Sequence, residues 1–250
     1  MARRHEVGHL AKTISVPRRN SWAKIVTISA FDVNSRRPGI RAGNHRPLGG
    51  RRKRMMDVTV ALIALILAAP VMLAVALLIL VTEGGPVIFS HGRVGFNGKR
   101  FACYKFRTMV TNSEQVLADY LASNPEAAAE WGQNWKFKND PRITFLGHIL
   151  RKSSLDELPQ LINVLRGDMS CVGPRPVVPD ELQRYGTCAI DYIQTRPGLT
   201  GLWQVTGRDA IDYPSRVSID SSYVRNWSIR ADVVILIRTI FAVLKFDQAS

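Results

Sequence analysis

Residues Leu150–Pro176 read LRKSSLDELPQLINVLRGDMSCVGPRP, and the reading of this stretch decides the fold. Ser154 followed three residues later by Glu157 has the form of a capping box. Leu155, Leu158, Leu161, Ile162 and Leu165 recur at helical spacing, so a helix is predicted to open near Ser154. That opening puts Asp156 and Glu157 in a first turn, where free N–H groups and the dipole favour ionised carboxylates. An ionised Asp can act as a nucleophile, and a neighbouring Glu can hold a hard cation. Pro159 either kinks this helix early or is itself its first residue. On the pair alone, an ordinary helix start with capping acids is the favoured explanation.

The surroundings favour chemistry. Asp140-Pro141-Arg142 and Arg151-Lys152 precede the acids, and the Gly173–Pro176 turn follows them. Further on comes RPGLTGLWQVTGR, Arg196 to Arg208. Arginine forks grip phosphate oxygens, and Gly-rich turns let backbone N–H groups approach an anion. Acids, arginines and such turns in one half of the chain suit a metal-bound diphosphate.

The string SLDELPQLINVLRGDMSCVGPRP closely resembles the bacterial sugar transferases, the monotopic polyprenyl-phosphate phosphoglycosyl transferases that start surface-glycan synthesis. KRMMD (Lys53 to Asp57), GRVGFNGKRF, YKFRTM, NDPRIT and RPGLTGLWQVTGR carry the same resemblance, which runs from about Lys53 to Phe246. It implies transfer of sugar-1-phosphate from a UDP-sugar to polyprenyl (undecaprenyl) phosphate, initiating exopolysaccharide or other surface glycans. It further implies Asp156 as nucleophile, an aspartyl-phosphosugar intermediate with UMP expelled, and Glu157 as ligand to Mg²⁺. Arg107, Arg175, Arg196 and Arg208 are the candidate phosphate contacts, and Lys53, Arg54 and Asp57 the candidates to meet the lipid phosphate. The chain resembles the short form, as in the galactose-1-phosphate transferases of rhizobial exopolysaccharide pathways.

The 250 residues carry a net charge of +14, very unevenly. Residues 1–54 hold 14 Lys and Arg and only two acids, Glu6 and Asp32, so the basic character belongs to a tail. This tail is rich in Gly, Pro and Arg and without periodicity, so disorder is expected over residues 1–50. It directly precedes an apolar run, which favours contact with anionic lipid at a cytoplasmic face over a nucleic-acid arm. No nucleic-acid partner is expected.

Val58 to Val81 is a run of 24 residues without a charge. A straight helix of that length measures roughly 36 Å, enough to cross a bilayer core of about 30 Å. Pro70 sits at its midpoint, removes one helical hydrogen bond and crowds the carbonyl of Ile66. A bent helix would have arms of about 16–18 Å that dip in and return. Spanning and re-entrant readings both stand on the residues; the resemblance implies the re-entrant one, with both ends cytoplasmic.

Beyond it, PVIFSHGRVGF and KRFACYKFRTM are joined by Asn97-Gly98, a strong hairpin signal, with Arg93, Lys105 and Arg107 on a basic ribbon. Residues 112–139 read as helices broken at Pro125, with Ser113 as N-cap. Pro214–Arg225 is amphipathic. Ser228–Phe246 is apolar but cut by Arg230, Asp232, Arg238 and Lys245, which suits an interfacial helix. Three scattered cysteines fit a reducing cytoplasm, and five histidines show no zinc spacing. The expected fold is therefore α+β and mostly helical. It has a basic tail (1–50), a re-entrant membrane helix broken at Pro70 (51–83) and a catalytic domain (84–250) with one hairpin and interfacial helices. That domain faces the cytoplasm from the bacterial inner membrane, and a homo-oligomer is compatible with the sequence. The alternatives are a membrane-anchored binding or scaffold protein with a basic recruiting tail, and a membrane phosphohydrolase.

Overall fold

A computed structural model describes residues 46–134, 137, 139–206 and 211–244. The expectations for the basic tail up to residue 45, for Arg208 and for Lys245 lie outside them.

The first element, α1 (Gly50–Glu83), runs as helix through Pro70 without interruption. It is long and apolar enough to cross a membrane. Only its two ends are packed. Lys53, Asp57 and Ala61 recur every four residues on one buried stripe, and Val75 and Ile79 form a second. Leu62, Ile63, Ile66, Leu67, Val71 and Leu73, between the stripes, are exposed. Ala61 joins the main core with Leu161, Val164, Met169, Val172, Tyr223 and Ile235. Val75 and Ile79 join Phe106 and Leu150.

The predicted hairpin is present: β1 (Ile88–Val94) pairs antiparallel with β2 (Arg100–Phe106), Ile88 opposite Phe106. Asn97 and Gly98 both have positive φ in the turn, the conformation that this dipeptide favours. α2 (Ser113–Ser123) and α3 (Pro125–Asn134) follow, separated at Pro125 as expected, although α2 starts after Asn112 and has no side-chain cap. Trp131 stacks on Phe137 and lies under the Arg142 guanidinium.

α4 (Phe145–Lys152) opens on Thr144, whose hydroxyl accepts from the Gly147 N–H. The capping box predicted at Ser154 does not form. Ser154 adopts a left-handed conformation, φ 57, and Leu155–Glu157 make a single 3₁₀ turn. α5 (Gln160–Arg166) begins only after Pro159. The cause is local: Pro159 has no N–H and its ring would press on the carbonyl of Leu155, so an α-helix cannot run through from Ser154.

A second, parallel pair that sequence patterning did not suggest joins β3 (Ser170–Val172) and β4 (Gly198–Thr200). Between them lie α6 (Pro179–Gln183) and α7 (Ala189–Ile193). α8 (Leu202–Thr206), α9 (Tyr213–Arg225) and α10 (Ile229–Leu244) are the last elements among the described residues. Asp212 caps α9 by accepting from the Ser215 N–H. α10 exposes Val233, Val234, Ile237, Ile240 and Phe241. Its Asp232 is no surface charge, as the sequence suggested, but fully buried.

Candidate active site

The acids stand on the 3₁₀ turn between α4 and α5. Asp156 is only 6% exposed, whereas Glu157 is partly open. β2 supplies the facing cation. Lys105 Nζ lies 2.7 Å from Glu157 Oε1 and 3.5 Å from Asp156 Oδ2. The strand is held there by Asn163 of α5, whose Nδ2 donates to Ala102 O (2.8 Å) while Oδ1 accepts from Tyr104 N (3.0 Å). Asn163 is fully buried, so one amide side chain fixes the register between the acids and Lys105.

Burial pushes the Asp156 carboxyl above the ordinary aspartate range; Lys105 pulls it back, Glu157 adds to the rise, and Arg151 opposes it. Electrostatic support for this carboxylate therefore comes from side chains and not, as the sequence suggested, from an α-helix terminus. Arg151, at the end of α4, is itself held by the Thr108 hydroxyl at 2.9 Å.

Glu157 and Lys105 line an open cleft shared with Arg93, Arg175, Gln160 and Gln204. Arg93 is close enough to Arg175 for the two charges to repel, which, after burial, lowers the pKa of Arg93. Three cations and one acid around one cleft make a receptor for an anion with several oxygens. Gly198 brings the walls together: a Cβ there would stand 2.1 Å from Gly173 N, so the β3 and β4 ends pass in direct backbone contact.

Of the residues singled out in the sequence, Asp156, Glu157 and Arg175 are brought together. Five others, all among the described residues, hold the fold. Arg107 donates to the carbonyls of Glu83 and Gly84 at the end of α1. Arg196 donates to Gly167 O (2.7 Å) and Arg54 to Val164 O and Leu165 O, closing the end of α5. Lys53 is buried against Asp232. Asp57 is buried too, accepting from the Ser170 hydroxyl and Cys171 N. Lys53 and Asp57 are thus both turned into the protein. Lys105 and Arg93, read in the sequence only as part of a basic ribbon, and Arg151, read only as a neighbour of the acids, are site residues to which the sequence reading gave no role. The basic ribbon was their signal, and only the pairing of β2 with the acid turn selects among its cations.

Among the described residues no three His, Cys, Asp or Glu side chains gather as a metal cage. Two adjacent carboxylates already holding the Lys105 ammonium are nonetheless the donor set expected for Mg²⁺, which takes one or two carboxylates and completes its shell with water and phosphate. The residues fit such an ion, with Glu157 the more open donor.

Residues 49–246 match the bacterial sugar transferase family, and the chain belongs to it. It is an enzyme of the phosphoglycosyl transferase class. The exopolysaccharide production protein ExoY of Rhizobium meliloti is 51% identical over 201 residues, 80% of this chain and 89% of that one. The undecaprenyl-phosphate galactose phosphotransferase of Salmonella typhimurium is 52% identical over 79% of this chain but 41% of its own length. The UDP-glucose:undecaprenyl-phosphate glucose-1-phosphate transferase of Caulobacter vibrioides is 38% identical over 79% of this chain and 72% of its own.

Proposed function

We propose that the chain moves a sugar-1-phosphate from a UDP-sugar to undecaprenyl phosphate at the cytoplasmic face of the inner membrane, as the first step of exopolysaccharide synthesis. The observation that carries this reading is the Lys105 ammonium on both Asp156 and Glu157, beside a cleft lined by Arg93 and Arg175. The Caulobacter relative's name states UDP-glucose and undecaprenyl phosphate, and the Salmonella relative's name states undecaprenyl phosphate and galactose.

In this reading Arg93 and Arg175 bind the diphosphate and orient it toward the acid turn. An oxygen of ionised Asp156 attacks the sugar-bearing phosphorus. The bond from that phosphorus to the bridging oxygen breaks, and UMP leaves with the electron pair. An oxygen of the lipid phosphate then attacks the same phosphorus and returns Asp156 as a carboxylate. Phosphoryl transfer depends on alignment and charge neutralisation, and Lys105, Arg151 and the two cleft arginines offer cations for that. Mg²⁺ held by Glu157 would neutralise phosphate oxygens.

The packing of α1 supports a re-entrant anchor. Its first turns meet Asp232, Val164 and Cys171, and its last turns meet Phe106 and Leu150, all of the same catalytic domain. A spanning helix would carry one end to the far side of the bilayer. Residues 62–74 would then be the part that dips into lipid, with the basic segment of residues 1–50 drawn to anionic headgroups.

The test is product analysis with full-length protein, Mg²⁺, undecaprenyl phosphate and either UDP-galactose or UDP-glucose. A lipid-linked sugar phosphate with one equivalent of UMP is expected. Free sugar phosphate without lipid product would instead establish a phosphohydrolase.

A further inference from the structure

Where α1 ends, Glu83 and Arg107 line an open cavity of about 320 Å³ together with Val110, Thr111, Asn112 and Thr144. Arg107 is 6% exposed, and its Nη2 is taken up by the Glu83 and Gly84 carbonyls. Its Nε and Nη1 are buried and have no hydrogen-bond partner among the described residues. Glu83 Oε2 is likewise buried and unpartnered, 3.7 Å from Arg107 Nη2 and so beyond hydrogen-bond reach. Buried donors and acceptors left bare cost stability, so a cavity lined by them is suited to polar atoms that satisfy them. Two exposed apolar side chains, Val81 and Phe145, stand close in the chain to the lining residues Glu83 and Thr144.

We propose that this cavity binds the headgroup of a phospholipid carrying both a phosphate and a primary ammonium, with the acyl chains leaving past Val81 and Phe145. This rests on the membrane placement of α1 proposed above. Glu83 is the last residue of that helix, where the apolar run leaves the hydrocarbon and headgroups begin. A lone guanidinium would take any anion. Here the carboxylate beside it makes the pair neutral and adds an acceptor, so a phosphate that brings its own cation fits better than a bare one. The free N–H groups of Arg107 donate to headgroup oxygens, and the guanidinium charge faces the phosphate. The ammonium donates to Glu83 Oε2. A trimethylammonium headgroup has no N–H for that oxygen, and a glycerol headgroup leaves the phosphate charge uncompensated.

Native mass spectrometry of the full-length protein in detergent, titrated with phosphatidylethanolamine, phosphatidylcholine or phosphatidylglycerol, tests this. One phosphatidylethanolamine is expected to bind about tenfold more tightly than either of the others, the scale of one charge-assisted hydrogen bond. Glu83→Gln, close to the parent in shape, should lose the preference over phosphatidylglycerol. Arg107→Lys, which keeps the charge but removes the buried guanidinium, should weaken phosphatidylethanolamine as well. Equal affinity for the three lipids, binding of none of them, or a preference unchanged in Glu83→Gln would overturn the inference alone. So would displacement of the lipid by millimolar inorganic phosphate, which would show a site for a free anion. Recovery of the protein in the soluble fraction without detergent would overturn the membrane placement of α1 and this inference with it.

Discussion

Lys53 and Asp232, 179 residues apart in sequence, meet at 2.6 Å with neither side chain in contact with bulk solvent. The Tyr223 hydroxyl and the Trp227 indole N–H complete the shell of Asp232. This pair fastens the base of the apolar helix to the last helix of the catalytic domain, so anchor and catalyst form one packed unit there.

Breaking the pair from one side strands a buried charge. Lys53→Met or Asp232→Leu is expected to cost about 3–5 kcal/mol, whereas the two together should cost distinctly less than the two losses combined. Thermal melts in detergent measure this. Near-additive losses would mean that the two groups do not depend on one another.

Removing the Lys105 charge withdraws the main group that holds Asp156 down. Lys105→Met should move the acid limb of the rate profile to higher pH and slow turnover by about 10²-fold, the scale of losing one preorganised electrostatic contact. Lys105→Arg should restore the limb more than the rate. The pH profile of initial rates decides it, and an unmoved limb would show that Lys105 does not tune Asp156.

Asp156 also makes a stability statement. Its folded-state pKa is raised by burial, so ionising it costs stability. That cost is absent below the ordinary aspartate range and complete above the raised value. Asp156→Asn should therefore melt higher than the parent at pH 7–8, with the difference shrinking as pH falls. A variant that melts lower at pH 8 would contradict the sign.

If both ends of α1 lie on the cytoplasmic side, single cysteines at the exposed positions Arg51 and Asn97, in a protein lacking Cys103, Cys171 and Cys188, should both be shielded in intact cells. Both should react after lysis. Labelling of one position from outside would establish a span.

The hairpin, the Pro125 break and the apolar helix were legible because Asn-Gly, proline and a 24-residue uncharged run each act locally. Asp156 and Glu157 were legible as a pair, but their setting was not. Pro159 overrode the capping box, and support for Asp156 comes from Lys105 on a strand far off in the chain. Such long-range pairing leaves no local periodicity. Lys53, Arg54, Arg107 and Arg196 look alike in sequence as phosphate ligands, with Asp57 beside the first two. Only packing shows that their hydrogen bonds go to helix ends and buried partners.

The most direct measurement of the central claim uses full-length protein, Mg²⁺ and a UDP-sugar labelled in the sugar, with no lipid acceptor. UMP should appear in an amount no greater than the enzyme, and the label should remain on the protein at Asp156. Added undecaprenyl phosphate should then carry it into lipid. Asp156→Asn should show neither burst nor label. UMP released only when lipid is present, or a labelled Asp156→Asn protein, would contradict the covalent route and leave direct transfer between the bound substrates in its place.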